Sequence, residues 1–122
     1  MKPRALTLVC LPFAGAGASF FRPWAALAGE RVEIVAPQLP GRERRIDDPP
    51  HRDVPSAIDE LLPEITRISA RGSLVLFGHS LGAVLAYELA CRLIARGDDL
   101  GGLVVSGSPG PWTPRETRAT GL

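Results

Sequence analysis

The sequence predicts an α/β fold built on a parallel sheet. Apolar runs alternate with stripes of helical spacing along the whole chain, the signature of strands joined by helical crossovers. The runs at 5–11 and 73–77 are apolar at nearly every position, as in strands buried on both faces. At 122 residues, with 45% hydrophobic and 22% charged residues, the chain can bury one core and has the composition of a folded domain.

Ala5 to Leu11 reads as the first strand, and Pro12 to Ala18 as a turn by its Pro and Gly. Ser19 is in position to cap a helix over Phe20–Ala28. That helix would present Phe20, Phe21, Trp24, Leu27 and Ala28 on one face and stop at Gly29. Arg31 to Ala36 is a second short strand. Pro37 to Asp53, with four Pro, four Arg and no period, reads as a long polar loop. Ile58, Leu61, Leu62, Ile65 and Ile68 then recur at helical spacing, with Pro63 inside the helix as an expected kink. Ser73 to Phe77 is the third strand. Leu81 to Arg96 is a long helix whose stripe is Val84, Leu85, Leu89 and Leu93, closed by Gly97. Leu103 to Val105 is a fourth strand, and Pro109 to Leu122 has no period. The alternation predicts four parallel strands.

Several classes of function drop out. Fourteen Lys and Arg balance thirteen Asp and Glu, a net charge of +1, so nothing global attracts nucleic acid or an anionic membrane. No apolar run approaches the roughly 18 residues of a membrane span. Cys10 and Cys91 cannot build a disulfide framework. Each reads as a small buried hydrophobe, and no His/Cys/Asp spacing suggests a metal. Met1-Lys2-Pro3-Arg4, the apolar stretch to Ala14 and Ala16-Gly17-Ala18 have the outline of a signal peptide. The competing reading, a core strand entering a functional turn, is preferred because that turn acquires a role.

Two loops fall at the carboxyl ends of strands, where parallel sheets place their sites. Gly78-His79-Ser80-Leu81-Gly82 matches G-x-S-x-G between a strand and a helix. Small residues at 78 and 82 let strand and helix approach, so Ser80 is exposed on a sharp turn as a nucleophile. The N–H of Leu81 would be one oxyanion donor. A second should come from the turn after the first strand, with Ala14 favoured and Phe13 as the neighbouring alternative. Gly15-Ala16-Gly17 also begins a dinucleotide fingerprint, but Phe20 stands where the third Gly belongs and no acid ends the second strand. His79 reads as a packed elbow support, since adjacent side chains on a sharp turn diverge. His51 reads as a solvated loop residue, and Arg42-Glu43-Arg44-Arg45 as a solvated basic cluster or a contact for an acidic partner. No histidine follows Ser80, although hydrolases with this elbow place Asp or Glu and then His after the serine. Asp98 and Asp99 read as turn residues at the opposite end of the sheet.

Taken together, Leu11-Pro12-Phe13-Ala14-Gly15 with Ser19, Phe21-Arg22-Pro23-Trp24, Gln38-Leu39-Pro40-Gly41-Arg42-Glu43, Phe77 to Ala83 and Val105-Ser106-Gly107 resemble the type II (editing) thioesterases of polyketide and nonribosomal peptide synthesis, in the α/β-hydrolase superfamily. The likeness covers the chain to about residue 110. Its most specific part is the segment at 38–43.

The resemblance implies a cytoplasmic, cofactor-free hydrolase. It would release acyl groups held as thioesters on the phosphopantetheine arm of an acyl or peptidyl carrier protein, through an acyl-enzyme on Ser80. Taken with the alternation of elements, it implies the strand order 2-1-3-4, with the fourth strand an exposed edge in this chain that invites self-association. It also implies a lid, further strands, a triad Asp and a triad His beyond the equivalent of Gly107. The expectation is therefore a single partial domain over 1–122, with 1–108 as core and 109–122 as a tail or the start of a lid. Two rival readings remain: a non-catalytic carrier-binding remnant of the same fold, and a Rossmann-like nucleotide-binding module.

Overall fold

A computed structural model describes residues 6–12 and 16–107. Strand β1 (Leu6–Leu11) leads through a 3₁₀ turn (Ala18–Phe21) into helix α1 (Arg22–Ala28), followed by β2 (Val32–Val35). A second 3₁₀ turn (Glu43–Arg45) precedes helix α2 (Val54–Arg71). Then come β3 (Leu74–His79), α3 (Leu81–Ala95) and β4 (Gly102–Ser106). All four strands pair in parallel, in the order β2-β1-β3-β4. The stretch 109–122 lies outside the described residues.

The strands alternate sides, and each face finds different company. Val9 and Leu11 of β1 and Leu74 and Leu76 of β3 meet the apolar stripes of α2 and α3 in one buried cluster. Ile58, Leu61, Ile65 and Ile68 come from α2, and Leu85, Leu89 and Leu93 from α3. Each fully buried Leu or Ile contributes roughly 1.5–3 kcal/mol, against about 0–1 kcal/mol for a surface ion pair. This face therefore holds the fold together.

Helix α2 begins where Asp53 accepts the Ser56 N–H at 2.8 Å, an N-cap that satisfies one orphan donor. The helix continues through Pro63 to Arg71. Pro63 still serves the helix as an acceptor, taking the Thr66 hydroxyl on its carbonyl at 3.0 Å.

The other face corrects an expectation. Helix α1 buries none of its residues, and Leu27, assigned to its inward stripe, is 85% exposed. Only Phe21, in the turn before it, is buried. Its ring meets Trp24 and Phe77 edge-on, with centroids 5.0 and 6.2 Å apart. Ser19 is not the helix cap either: it lies inside the 3₁₀ turn, whose N-cap is Gly17. Cys10 is buried as expected and burial pushes its thiol up to about 12. Cys91, expected inside, is exposed, because it follows the buried Ala90 on the turn of α3 that faces away from the sheet.

Leu6 to Leu11 is a central strand paired on both sides. No helix among the described residues is long and apolar enough to cross a membrane.

Candidate active site

The register brings the two site loops together. Leu11, the last residue of β1, is level with Gly78 of β3, so the turn after β1 starts beside the turn that carries Ser80. The elbow itself is steric. A Cβ on Gly78 would overlap the carbonyl of Gly82, and a Cβ on Gly82 would overlap the carbonyl of Leu11. Glycine at both positions lets the first turn of α3 press directly on the ends of β3 and β1.

Ser80 takes the strain of that turn. Its φ is 56° and ψ −116°, a region costly for any residue with a side chain, on the order of 1–3 kcal/mol. Its backbone is pinned on both sides: its N–H donates to the Ser106 carbonyl at 2.8 Å, and its own carbonyl accepts the Ala83 N–H at 3.0 Å. A serine at a helix N-cap usually spends its hydroxyl on the helix N–H groups. Ser80 makes no such cap bond. At the first position of α3, the N–H of Leu81 has no partner within the helix. It stands at the positive end of a 15-residue helix, where negative charge is favoured. A strained serine over such a terminus suits nucleophilic attack on a carbonyl, with the oxyanion held by backbone N–H.

The expected second donor, Ala14, and its alternative, Phe13, lie outside the described residues. The residues on either side of them are placed. Pro12 is packed against Gly82, and residues 16–19 are held by the segment 38–43.

That loop needs correction. Arg42 is only 6% exposed, its Nη1 donating to the Ala16 carbonyl at 3.0 Å. Burial lowers its guanidinium from the usual range. Glu43 accepts both the N–H and the hydroxyl of Ser19, at 3.0 and 2.9 Å. These bonds, the backbone one foremost, hold its carboxyl below the ordinary carboxylate range. Gln38 Oε1 accepts the Ala18 N–H at 3.1 Å. Arg45 donates to Glu60 on α2 at 2.9 Å and to the Gln38 carbonyl at 2.9 Å. Of the basic cluster, Arg44 is exposed as expected; Arg42 and Arg45 turned inward because the loop folds back over the turn after β1. Its Pro and Arg content gave no period from which to read this.

His51 is also tied down rather than solvated, its Nε2 3.2 Å from Glu60 Oε1 and its side chain 19% exposed. His79 is exposed, with Nδ1 3.3 Å from the Ser106 hydroxyl and its ring over Gly107. Both contacts lie on the β4 side of the elbow.

Asp98 and Asp99 lie between α3 and β4. The Gly101 N–H in the same connection bonds Leu74, at the start of β3. The six-residue strand from Leu74 to His79 separates them from Ser80 by roughly 16 Å, too far for a carboxylate to orient the base of this serine.

The dinucleotide alternative fails on the same contacts. The space beside Gly17 is filled by the Glu43 carboxylate, which would repel a diphosphate there. Among the described residues no group of three or more His, Cys, Asp or Glu could hold a metal ion.

The chain matches a family model described as the thioesterase domain over residues 6–121. A probable cadicidin biosynthesis thioesterase of Streptomyces griseus is 39% identical over 114 residues, which are 93% of this chain and 31% of that protein. A probable anguibactin biosynthesis thioesterase of Vibrio anguillarum is 38% identical over 104 residues, covering 84% and 41%. Among solved structures, the type II thioesterase BorB from the borrelidin biosynthetic cluster superposes with a TM-score of 0.87 at 39% identity. The match covers 96% of this chain and 47% of that one. The type II thioesterase YbtT of the yersiniabactin pathway gives 0.81 at 32% identity, covering 97% and 48%. The chain thus spans less than half the length of each of these relatives.

Proposed function

This chain belongs to the thioesterase domain family, with the parallel sheet of the α/β hydrolases, and we propose that it carries the nucleophile half of an editing thioesterase. The substrate would be an acyl group on the phosphopantetheine arm of an acyl or peptidyl carrier protein, in the cytoplasm. The observation that carries this reading is Ser80, strained on the turn between Gly78 and Gly82 at the head of α3.

Ser80 Oγ attacks the thioester carbonyl carbon while its proton passes to a base. The carbonyl oxygen, now negative, is held by the N–H of Leu81 and the N–H of Ala14. The tetrahedral centre collapses, the C–S bond breaks, and the thiol of the arm leaves with the proton. Water then attacks the acyl-serine, and the acid departs with Ser80 restored.

Neither histidine of this chain suits the base: His51 faces Glu60 and His79 faces Ser106. We assign the base to a histidine outside residues 1–122. Serine without a base is a poor nucleophile, and loss of the triad histidine costs on the order of 10⁶ in turnover.

The test is hydrolysis of acyl-N-acetylcysteamine thioesters. The 122-residue chain alone is expected to be little faster than its Ser80→Ala variant. Adding the carboxy-terminal half of a homologous thioesterase should restore Ser80-dependent turnover. Rapid Ser80-dependent hydrolysis by the chain alone would overturn the assignment and make His51, His79 or a second copy the base.

A further inference from the structure

The carboxyl end of the sheet carries charge that the fold does not use. Helices α1, α2 and α3 all begin there, so Arg22 at the head of α1 and Arg52 beside the Asp53 cap of α2 share that end with Ser80. Arg44 joins them, in the 3₁₀ turn whose Glu43 holds Ser19. The charge of Arg22 reaches the same Glu43 carboxyl. All three arginines are exposed, and among the described residues none of them forms an ion pair.

The acids around them are committed elsewhere. Glu43 takes both donors of Ser19, Asp48 and Glu60 take Arg45, and Asp53 caps α2. Asp47, exposed and outside these pairs, offsets one of the three arginines. The opposite end of the sheet is balanced. Arg96 meets Asp98 at 3.2 Å, Arg71 meets Glu33 at 3.5 Å, and Arg31 follows Glu30. In a chain of net charge +1 the excess is one of placement: positive on the side of the nucleophile, where it attracts anions.

Apolar surface accompanies the charge. Ile46 is 65% and Phe20 48% exposed. The Ile46 N–H closes the turn on the Glu43 carbonyl, and Phe20 follows the Ser19 that Glu43 holds. Arginines beside exposed apolar and aromatic side chains fit a protein that presents an anion better than they fit a free anion.

The substrate proposed for Ser80 carries such an anion. A phosphopantetheine arm is joined to its carrier by a phosphodiester, negative at neutral pH. From phosphorus to sulfur the extended arm spans about 15 Å, the reach of a backbone with the same number of bonds. Helix α1 packs on β2, and β2 lies two strand spacings from β3, about 10 Å. A thioester at Ser80 therefore leaves the phosphodiester within reach of the starts of α1 and α2.

We propose that Arg22, Arg44 and Arg52 form the face on which the carrier protein docks, with the phosphodiester of the arm as the anion they attract. This rests on the reading of the chain as a carrier-protein thioesterase. Docking precedes chemistry and needs no base, so binding to the 122-residue chain reads it directly.

The probes are an acyl and a peptidyl carrier protein, each with a free, unacylated arm, titrated calorimetrically into the chain at low salt. Arg22→Glu combined with Arg44→Glu should weaken binding about tenfold, and Arg52→Glu alone about threefold. Arg71→Glu, at the far end of the sheet, should change it less than about twofold. Added salt should weaken the wild type more than the double variant. The same carriers without their arms should bind more weakly and lose nothing further in the double variant. Should the double variant misfold by circular dichroism, Arg52→Glu, which breaks no bond among the described residues, carries the test.

Binding of an armed carrier that ignores all three substitutions overturns the docking face and leaves the thioesterase reading standing. An equal loss with the armless carrier overturns the phosphodiester as the anion. Failure of both armed carriers to bind the wild-type chain overturns the thioesterase reading, and the docking face with it.

Discussion

The two faces of the sheet solve the same packing problem differently. One carries α2 and α3, whose stripes interdigitate with Val9, Leu11, Leu74 and Leu76 into a continuous core. Among the described residues the other carries α1 alone, anchored through Phe21, Trp24 and Phe77. Phe20 is 48% exposed there, and Val104, which is paired with Phe77, is 50% exposed. The amphipathic pattern was equally clear in α1 and α3. A stripe therefore says which way a helix would face a partner and leaves open whether the chain supplies one. Stability is concentrated on one face, and the elbow belongs to it.

The sharpest way to break that contrast is at the point where the elbow and the core meet. Gly82→Val would drive a side chain into the Leu11 and Pro12 carbonyls. It should destabilise the chain by more than about 4 kcal/mol, in the range reserved for gross steric conflict, as read by urea unfolding. Leu89→Ala, inside the α3 stripe, should cost about 3 kcal/mol. Leu27→Ser, the matching position on α1, should stay within about 0.5 kcal/mol. Equal effects for these two substitutions would erase the distinction between the faces.

The cysteines sharpen it with a chemical probe. In the folded chain at pH 8, a thiol reagent should modify Cys91 and spare Cys10, whose thiol is buried and pushed up to about 12. Two equivalents should react in denaturant. Native reaction at Cys10 would mean that the centre of the sheet opens.

The smallest effect should be acid sensitivity. Glu43, Asp53 and Glu60 are all held below the ordinary carboxylate range, by the Ser19 backbone N–H, the Ser56 backbone N–H and the Arg45 side chain respectively. Depressed carboxyls contribute stability that is complete above their unfolded values and disappears as pH falls through the folded ones. Unfolding midpoints should therefore be flat from pH 7 to about 5 and decline below about 4.3. Glu43→Gln should flatten part of that decline.

What the sequence disclosed follows from how local the cause is. The elbow was legible because its constraint lies within five residues: glycine at 78 and 82, a strand before, a helix after. The strand order followed from the alternation of elements taken together with the thioesterase resemblance. The hold of Arg42 and Glu43 on Ala16 and Ser19 was not legible, because it acts on residues more than 20 positions earlier. Polar side chains in a Pro-rich stretch look identical whether they face water or a backbone carbonyl. Ser19 misled for a related reason. A serine before an apolar stripe resembles a cap, and here its hydroxyl goes to Glu43 instead.

The strand order also dictates when the molecule can become itself. β1 is made first, yet its neighbour β3 begins 63 positions after its last residue, at Leu74. Until that stretch emerges, β1 can pair on its β2 side alone, and Leu11 has no opposite number. Contacts of such long sequence separation close slowly. The nascent chain must carry an apolar strand with one open flank while those 63 positions are made, a state prone to capture by other unfolded chains.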